Sequence, residues 1–306
     1  MSILVVGSVA YDTVKTPFGK VERALGGSAT YFAAAASFFA PVRLVAVVGS
    51  DFDVSSLAFL HDRGVDTSGL MVEAGETFRW SGSYGDEMAD ATTHSTLLNV
   101  FQNFRPRIPD AYRDSDFLFL ANIDPELQLS VLDQVERPRL VFCDTMNFWI
   151  SGKLDALKRL LRRVDVFVLN ESEAKDLAEE SNPIRAARKI LEMGPTRVVV
   201  KLGEYGAMLL GDGEIFRLPA FPVESVCDPT GAGDSFAGGL VGYLAQTGDL
   251  SLEGMHRGLL TGAVAASFAV ERFSVDRLAE IDRSAIDARC RELERVAGWA
   301  WNGVQL

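Results

Sequence analysis

The sequence predicts a doubly wound α/β fold, a mostly parallel sheet with helices on both faces, together with a small β lid. Three observations carry this expectation. Short β-branched runs alternate with helical segments over most of the 306 residues, which is the pattern of a parallel sheet covered on both sides. The strand runs are almost wholly apolar, as strands buried on both faces are. One stretch, 70–104, breaks the alternation with short segments between Gly- and Asp-bearing turns, and it reads as hairpins lying outside the parallel sheet.

Taken in chain order, strands are expected at Ile3–Gly7, Val42–Val48, Phe117–Ala121, Leu140–Cys143, Val164–Leu169 and Arg197–Lys201. Helices are expected at Ala29–Phe39, Val54–Asp62, Glu126–Gln134, Leu154–Arg163, Glu171–Glu179, Ile184–Met193, Asp234–Gln246 and Leu252–Ala269. No repeat of 20–50 residues and no linker rich in Pro, Gly or Ser interrupts them, so 1–306 reads as one domain with 70–104 as its lid. Residues 281–306, with Trp299 and Trp301, read as a C-terminal helix and a tail packed on the core.

Composition narrows the function. Apolar residues make up 48% and charged residues 24% of the chain, so it folds rather than remaining disordered. Thirty Lys+Arg against 42 Asp+Glu leave a formal charge of −12, which argues against a nucleic-acid backbone as the main partner. Cys143, Cys227 and Cys290 form no CxxC pair and no even framework, which fits a reducing cytoplasm. The opening MSILVVGSVAYD has no basic leader and reads as a first strand. The longest uncharged apolar stretches fall short of the ~18–20 residues that span a bilayer, so a soluble protein is expected.

The most informative segment is Cys227–Leu240, CDPTGAGDSFAGGL. Gly231, Ala232 and Gly233 form a small-residue turn leading into an apolar helix near Asp234. Unpaired N–H groups at a helix N-terminus, with the positive end of the helix dipole, can hold a phosphate. Asp234 would be the carboxylate placed to accept a proton from a hydroxyl attacking that phosphate. The plainer alternative is that Asp234 caps the helix and the glycines serve a tight turn. Other phosphate and nucleophile patterns fail. There is no GxxxxGK[ST], Phe236 stands where a dinucleotide fingerprint needs Gly, and Ser235 sits in GDSFA rather than GxSxG.

DPTGAGDSFAGG resembles the C-terminal signature of the ribokinase-like (PfkB) carbohydrate and nucleoside kinases, in which DTxGAGD is followed by a helix. The resemblance implies ATP-dependent phosphorylation of a hydroxyl, with Asp234 as catalytic base and the amides of Gly231, Ala232 and Gly233 as the anion hole. It covers roughly residues 3–280, with three weaker motifs in the expected order. Asp12, after the first strand, and the pair Gly26-Gly27 match positions that line the family's sugar pocket. There a carboxylate accepts two hydroxyl hydrogen bonds and Gly lets the ligand approach. Tyr31 stands where the family usually has a substrate-binding Asn. On residues alone, Asp12 could equally be a turn residue after a strand.

Asn170-Glu171-Ser172-Glu173 resembles the family's NxxE motif, which implies that Asn170 and Glu173 organise Mg²⁺ through water; the same spacing also reads as a capping box. Lys201-Leu202-Gly203-Glu204-Tyr205-Gly206-Ala207 resembles the turn beside the nucleotide. By that resemblance Lys201, Gly203 and Gly206 are nucleotide-binding, the alternative being a plain hairpin turn. Asp228 and Thr230 match positions that form a K⁺ site in some members. The later loop Val270–Ser274 lacks the usual Gly, so K⁺ dependence stays open. Asn122, in the segment Asn122–Glu126 at the C-terminal rim of the sheet, is a candidate acceptor contact, or that segment is a turn that caps the next helix. His61, His94 and His256 share no metal-like spacing.

The expected function is thus transfer of the γ-phosphate of ATP to a hydroxyl of a sugar. A nucleoside or cyclitol acceptor on the same fold is the alternative, and a non-catalytic ligand-binding protein is a more distant one. In relatives the lid strands often pair between subunits, so the resemblance allows a homodimer.

Overall fold

The computed structural model describes residues 1–88 and 91–298. Residues Trp299 and Trp301, for which the sequence suggests a packed tail, lie outside the described residues. Thirteen strands are described. They are β1 Ile3–Val6, β2 Ala10–Thr16, β3 Gly19–Gly26, β4 Val42–Gly49, β5 Asp66–Glu73, β6 Arg79–Ser83, β7 Thr92–Leu97, β8 Phe117–Leu120, β9 Leu140–Asp144, β10 Val166–Asn170, β11 Arg197–Lys201, β12 Ala207–Gly211 and β13 Glu214–Leu218.

Nine of them form one sheet in the order β13-β12-β11-β10-β9-β8-β1-β4-β5. It is parallel from β11 through β5, and β12 and β13 add an antiparallel edge. Along the central strands alternate residues face opposite layers. Val5, Leu44, Phe119 and Phe142 pack into one apolar core, while Leu4, Val45, Leu118 and Cys143 pack into another on the far face. Burial on both faces explains why these runs, ILVV and FLFL among them, are apolar throughout.

All six strands read from the sequence are present, within two residues at each end. Of the eight expected helices, Val54–Asp62 is instead a 3₁₀ turn, Val54–Leu57, running into a short helix, Ala58–Asp62. Asp53 caps that turn by accepting from the Ser55 N–H, which favours the tighter start. The remaining seven are Ser28–Ala36, Pro125–Leu132, Leu154–Leu161, Glu171–Ala178, Pro183–Leu191, Ala232–Thr247 and Leu252–Ala269.

The second sheet has the order β3-β2-β6-β7. Its composition differs from the expected segment 70–104. Residues 66–73 belong to the large sheet, where β5 pairs with β4. Phe78 stacks on Phe101 and Phe101 on Phe104 at the root of the small sheet. Half of the small sheet comes from residues 10–26, whose charged, partly exposed β3 (GKVERALG) carries too little apolar patterning to announce a strand. Its pairing with β2 makes it one.

Strand β1 has β4 on one side and β8 on the other, so the chain leaves it at the point where strand order reverses. Crevices at such points, beyond the C-terminal ends of the strands, are where open α/β sheets bind ligands.

Candidate active site

The site is built from three segments meeting at that crevice: β2 with the end of β3, the turn before the helix Ala232–Thr247, and the ends of β9, β10 and β11. Gly231 is the N-cap of the 16-residue helix, with φ 74°. A left-handed backbone suits glycine, and here the missing side chain matters as well, because a β-carbon at 231 would overlap the ring of Tyr31. The N–H of Ala232 donates to the Pro229 carbonyl at 3.2 Å. The Ala232 amide is therefore engaged within the turn itself and is less available to an anion than the motif suggests. No hydrogen bond within the described fold engages the N–H groups of Gly231 and Gly233.

Asp234 sits in the first turn of this helix. Its Oδ1 is buried and has no hydrogen-bond partner. Burial, reinforced by the Asp144 carboxylate and opposed by Lys201, pushes its pKa up to about 7. Asp12 is 5% exposed and projects from β2. Burial first, then Asp228 and Asp234, raise it to about 7 as well. A β-carbon at Gly26 would overlap the Asp12 carboxylate, and one at Gly27 (φ 96°) would come within 2.5 Å of the Ser8 carbonyl oxygen. The paired glycines thus leave room for Asp12 and for the tight entry into the helix Ser28–Ala36.

Tyr31 lies on that helix and is 2% exposed. Its ring forms the floor beneath Gly231. Its phenol proton is held by burial and by the nearby Asp12, Asp228 and Asp234 carboxylates, which raise its pKa well above the ordinary value. A contact reaches across from the small sheet, where the Tyr84 hydroxyl lies 3.3 Å from Thr230 Oγ1.

On the other side of the turn a charge cluster joins three parallel strands. Lys201 Nζ, at the end of β11, donates to Asp144 Oδ2, at the end of β9, at 3.1 Å; the two side chains are 17% and 3% exposed. A β-carbon at Gly233 would lie 2.9 Å from the same Nζ, so the lysine is set directly against the anion turn. Burial lowers the lysine pKa, but Asp144, Glu173 and Asp234 together raise it, so it stays a cation. Asp144 heads the loop after the Leu140–Cys143 strand, which the sequence places at the C-terminal rim beside Asn122; what sequence reasoning missed is its ion pair with Lys201. The signal for Asp144 was position alone, a carboxylate at the C-terminal end of a central strand.

Asn170 and Glu173 form a full capping box. The Asn170 side chain accepts from the Glu173 N–H at 2.8 Å, and Glu173 Oε2 accepts from the Asn170 N–H at 2.7 Å. Glu173 is nevertheless only 7% exposed, and burial raises it to about 7 against the pull of Lys201. Its second oxygen accepts no hydrogen bond within the described fold, and no group of three or more metal-ligating side chains occurs among the described residues.

The other candidates separate. Asp228 is 1% exposed, and its two oxygens accept the N–H groups of Thr230 at 2.9 Å and Ser274 at 3.4 Å. Asn122 lies at the rim after β8, but the contact it makes is through its main-chain oxygen, which accepts from Trp149 Nε1 at 3.1 Å. Gly203 and Gly206 bracket the 3₁₀ turn Gly203–Tyr205 between β11 and β12, and a β-carbon at 203 would meet open space. His61 and His94 bond Thr67 and Ser83, and His256 stacks on Phe216.

Comparison with known proteins identifies the family and the fold. The profile of the pfkB family carbohydrate kinases matches residues 2–280. The chain is 32% identical over 250 residues to a cytidine kinase of Thermococcus kodakarensis, covering 79% of this chain and 88% of that protein. The fold is similar to that of a Burkholderia thailandensis nucleoside kinase in complex with ADP-inosine, with TM-score 0.79, 18% identity, and 99% and 98% of the two chains covered. It is also similar to a putative ribokinase II of E. coli in complex with ATP and Mg²⁺, with TM-score 0.77, 20% identity, and 95% and 99% covered. A family profile spanning nearly the whole chain, on a fold that sets a buried carboxylate behind a GAGD turn, places this protein in the PfkB family, as a phosphotransferase with a hydroxyl acceptor.

Proposed function

We propose that this protein transfers the γ-phosphoryl group of ATP, with Mg²⁺, to a hydroxyl of a ribose-type acceptor, either a free sugar or a nucleoside. The observation that carries this reading is the buried, unpartnered Asp234 Oδ1 at the helix N-terminus, with Asp12 facing the same crevice. Asp12 accepts hydrogen bonds from two acceptor hydroxyls and so fixes the ring. Asp234 takes the proton from the reacting hydroxyl as transfer proceeds. The free amides of Gly231 and Gly233, at the positive end of the helix, face the negative charge that develops on the phosphoryl oxygens. Lys201 adds a fixed cation at the same turn, and Gly203 borders open space on the nucleotide side, whereas Gly206 is a glycine because its backbone packs against the Leu218 carbonyl. Mg²⁺ supplies further neutralisation of the phosphates, and Glu173 would hold it through water with Asn170 orienting the carboxylate.

The small sheet supports the same reading as a cover over the crevice: Asp12 rides on it, and Tyr84 reaches Thr230 from it. Covering the acceptor excludes water and limits wasteful hydrolysis of ATP. Among the described residues no helix is long and apolar enough to cross a membrane, and the reading places the enzyme in the cytoplasm with its two small-molecule substrates.

The test is ADP release from MgATP across pentoses, hexoses, nucleosides and cyclitols, on the native protein and Asp234→Asn. Acceptor-dependent release by the native protein alone is the expected result. Equal release by both removes Asp234 from the role of base.

A further inference from the structure

Beside Asp12 the small sheet carries a flat apolar surface that the catalytic scheme above does not use. Strands β2 and β6 are parallel, with Asp12 in register with Trp80 and Val14 with Gly82. Registered partners share a face, so Trp80 stands on the side of the sheet that presents Asp12 to the crevice. The indole runs along its own strand. A β-carbon on Gly82 would overlap its Cζ2 and Cη2 atoms, and its Nε1–H lies 3.3 Å from Thr93 Oγ1 on β7. Gly82 therefore lets the ring lie flat, and Thr93 ties its polar edge down. Trp80 is half-buried, so part of it remains open beside the crevice. Tyr84, two residues beyond Gly82, falls on the same face by alternation, and its hydroxyl meets Thr230 of the catalytic turn. Phe78, Phe101 and Phe104 stack on one another at the sheet's root, which leaves Trp80 and Tyr84 as the small sheet's rings on the face of Asp12.

We propose that Trp80 is a specificity-determining residue: a stacking platform that selects acceptors bearing a planar heteroaromatic ring on the sugar, so that the substrate class is the nucleoside and not the free sugar. The inference rests on Asp12 as the acceptor-binding carboxylate of the proposed kinase. A ribose held by Asp12 lies next to the indole across one strand spacing, and a base on its anomeric carbon gains the ring's face. Stacking of a base on an aromatic side chain is tolerant of base identity, because every base has a π-face. Trp80 thus favours nucleosides as a class and does not choose among them.

Binding by calorimetry without nucleotide, using cytidine, adenosine and D-ribose on the native protein, Trp80→Leu and Trp80→Phe, tests this. The expected result is that Trp80→Leu weakens both nucleosides by about tenfold to a hundredfold and leaves ribose unchanged, while Trp80→Phe recovers most of the loss. The platform is overturned if the nucleosides and ribose weaken together, if neither changes, or if the native protein binds ribose as tightly as the nucleosides. Circular dichroism of each variant confirms the fold. Because binding needs no turnover, a native protein that binds cytidine through Trp80 yet releases no ADP would refute the kinase reading and leave the platform standing.

Discussion

The ring of Tyr31 occupies the space a side chain at Gly231 would need, so the floor of the anion turn is an aromatic ring carried on a different helix. This packing joins the helix Ser28–Ala36 to the catalytic turn. Gly231→Ala meets both the ring and a φ of 74°, and we expect a loss of about 2 kcal/mol of stability with little activity remaining. Thermal unfolding and ADP release on the same preparation check this; native-like values for both would show that the turn relaxes freely.

Asp234→Asn keeps the side-chain shape and removes the base. A drop in kcat of about 10²- to 10⁴-fold is expected, with the nucleotide still bound. In the native protein, activity should fall as pH drops through about 7, because the base must be ionised and its pKa is raised to about that value. A flat rate profile from pH 5 to 8 would contradict that assignment.

The same raised pKa has a cost in stability, and its sign is opposite to that of a salt-bridged carboxylate. Asp12 has a folded pKa of about 7 against 3.8, so between those values the native state binds more protons than the unfolded chain. Its contribution therefore falls as pH rises from about 4 to about 7. Asp12→Asn should melt higher than the native protein at pH 8, with the gain vanishing toward pH 4, while phosphorylation is lost. Melting curves at the two pH values decide it.

Lys201→Met leaves the Asp144 carboxylate, whose side chain is 3% exposed, without its partner. A loss of about 3 kcal/mol is expected, and Lys201→Met with Asp144→Asn should recover part of it. Since Lys201 lowers the pKa of Asp234, its removal should also move the acid limb of the rate profile to higher pH. Additive losses in the double variant would mean that the two residues do not act as a pair.

Gly26→Ala would push a methyl group into the Asp12 carboxylate. The expected outcome is a raised KM for the acceptor, by about tenfold or more, with KM for ATP little changed, since the overlap lies on the acceptor side. Steady-state kinetics with each substrate varied in turn separate the two.

The sequence by itself determined the parallel sheet and the small-residue turn before the helix Ala232–Thr247. A strand buried on both faces must be apolar throughout, and a turn before a helix that leaves amides free must be built of small residues. Both requirements are local, so ILVV, FLFL and TGAGD could be read without coordinates. Tertiary structure decided what depends on distant segments meeting. The strand β3 exists because β2 pairs with it, not because GKVERALG has the pattern of a strand. Asn170 and Glu173 satisfy one another as a cap, although their spacing is equally that of a metal motif, since one spacing serves both. Lys201 is a cation against the anion turn only because β9, β10 and β11 bring Asp144 and Glu173 beside it. Trp80 came to the face of Asp12 through strand register, which a single sequence does not contain, because register is a property of two strands in contact.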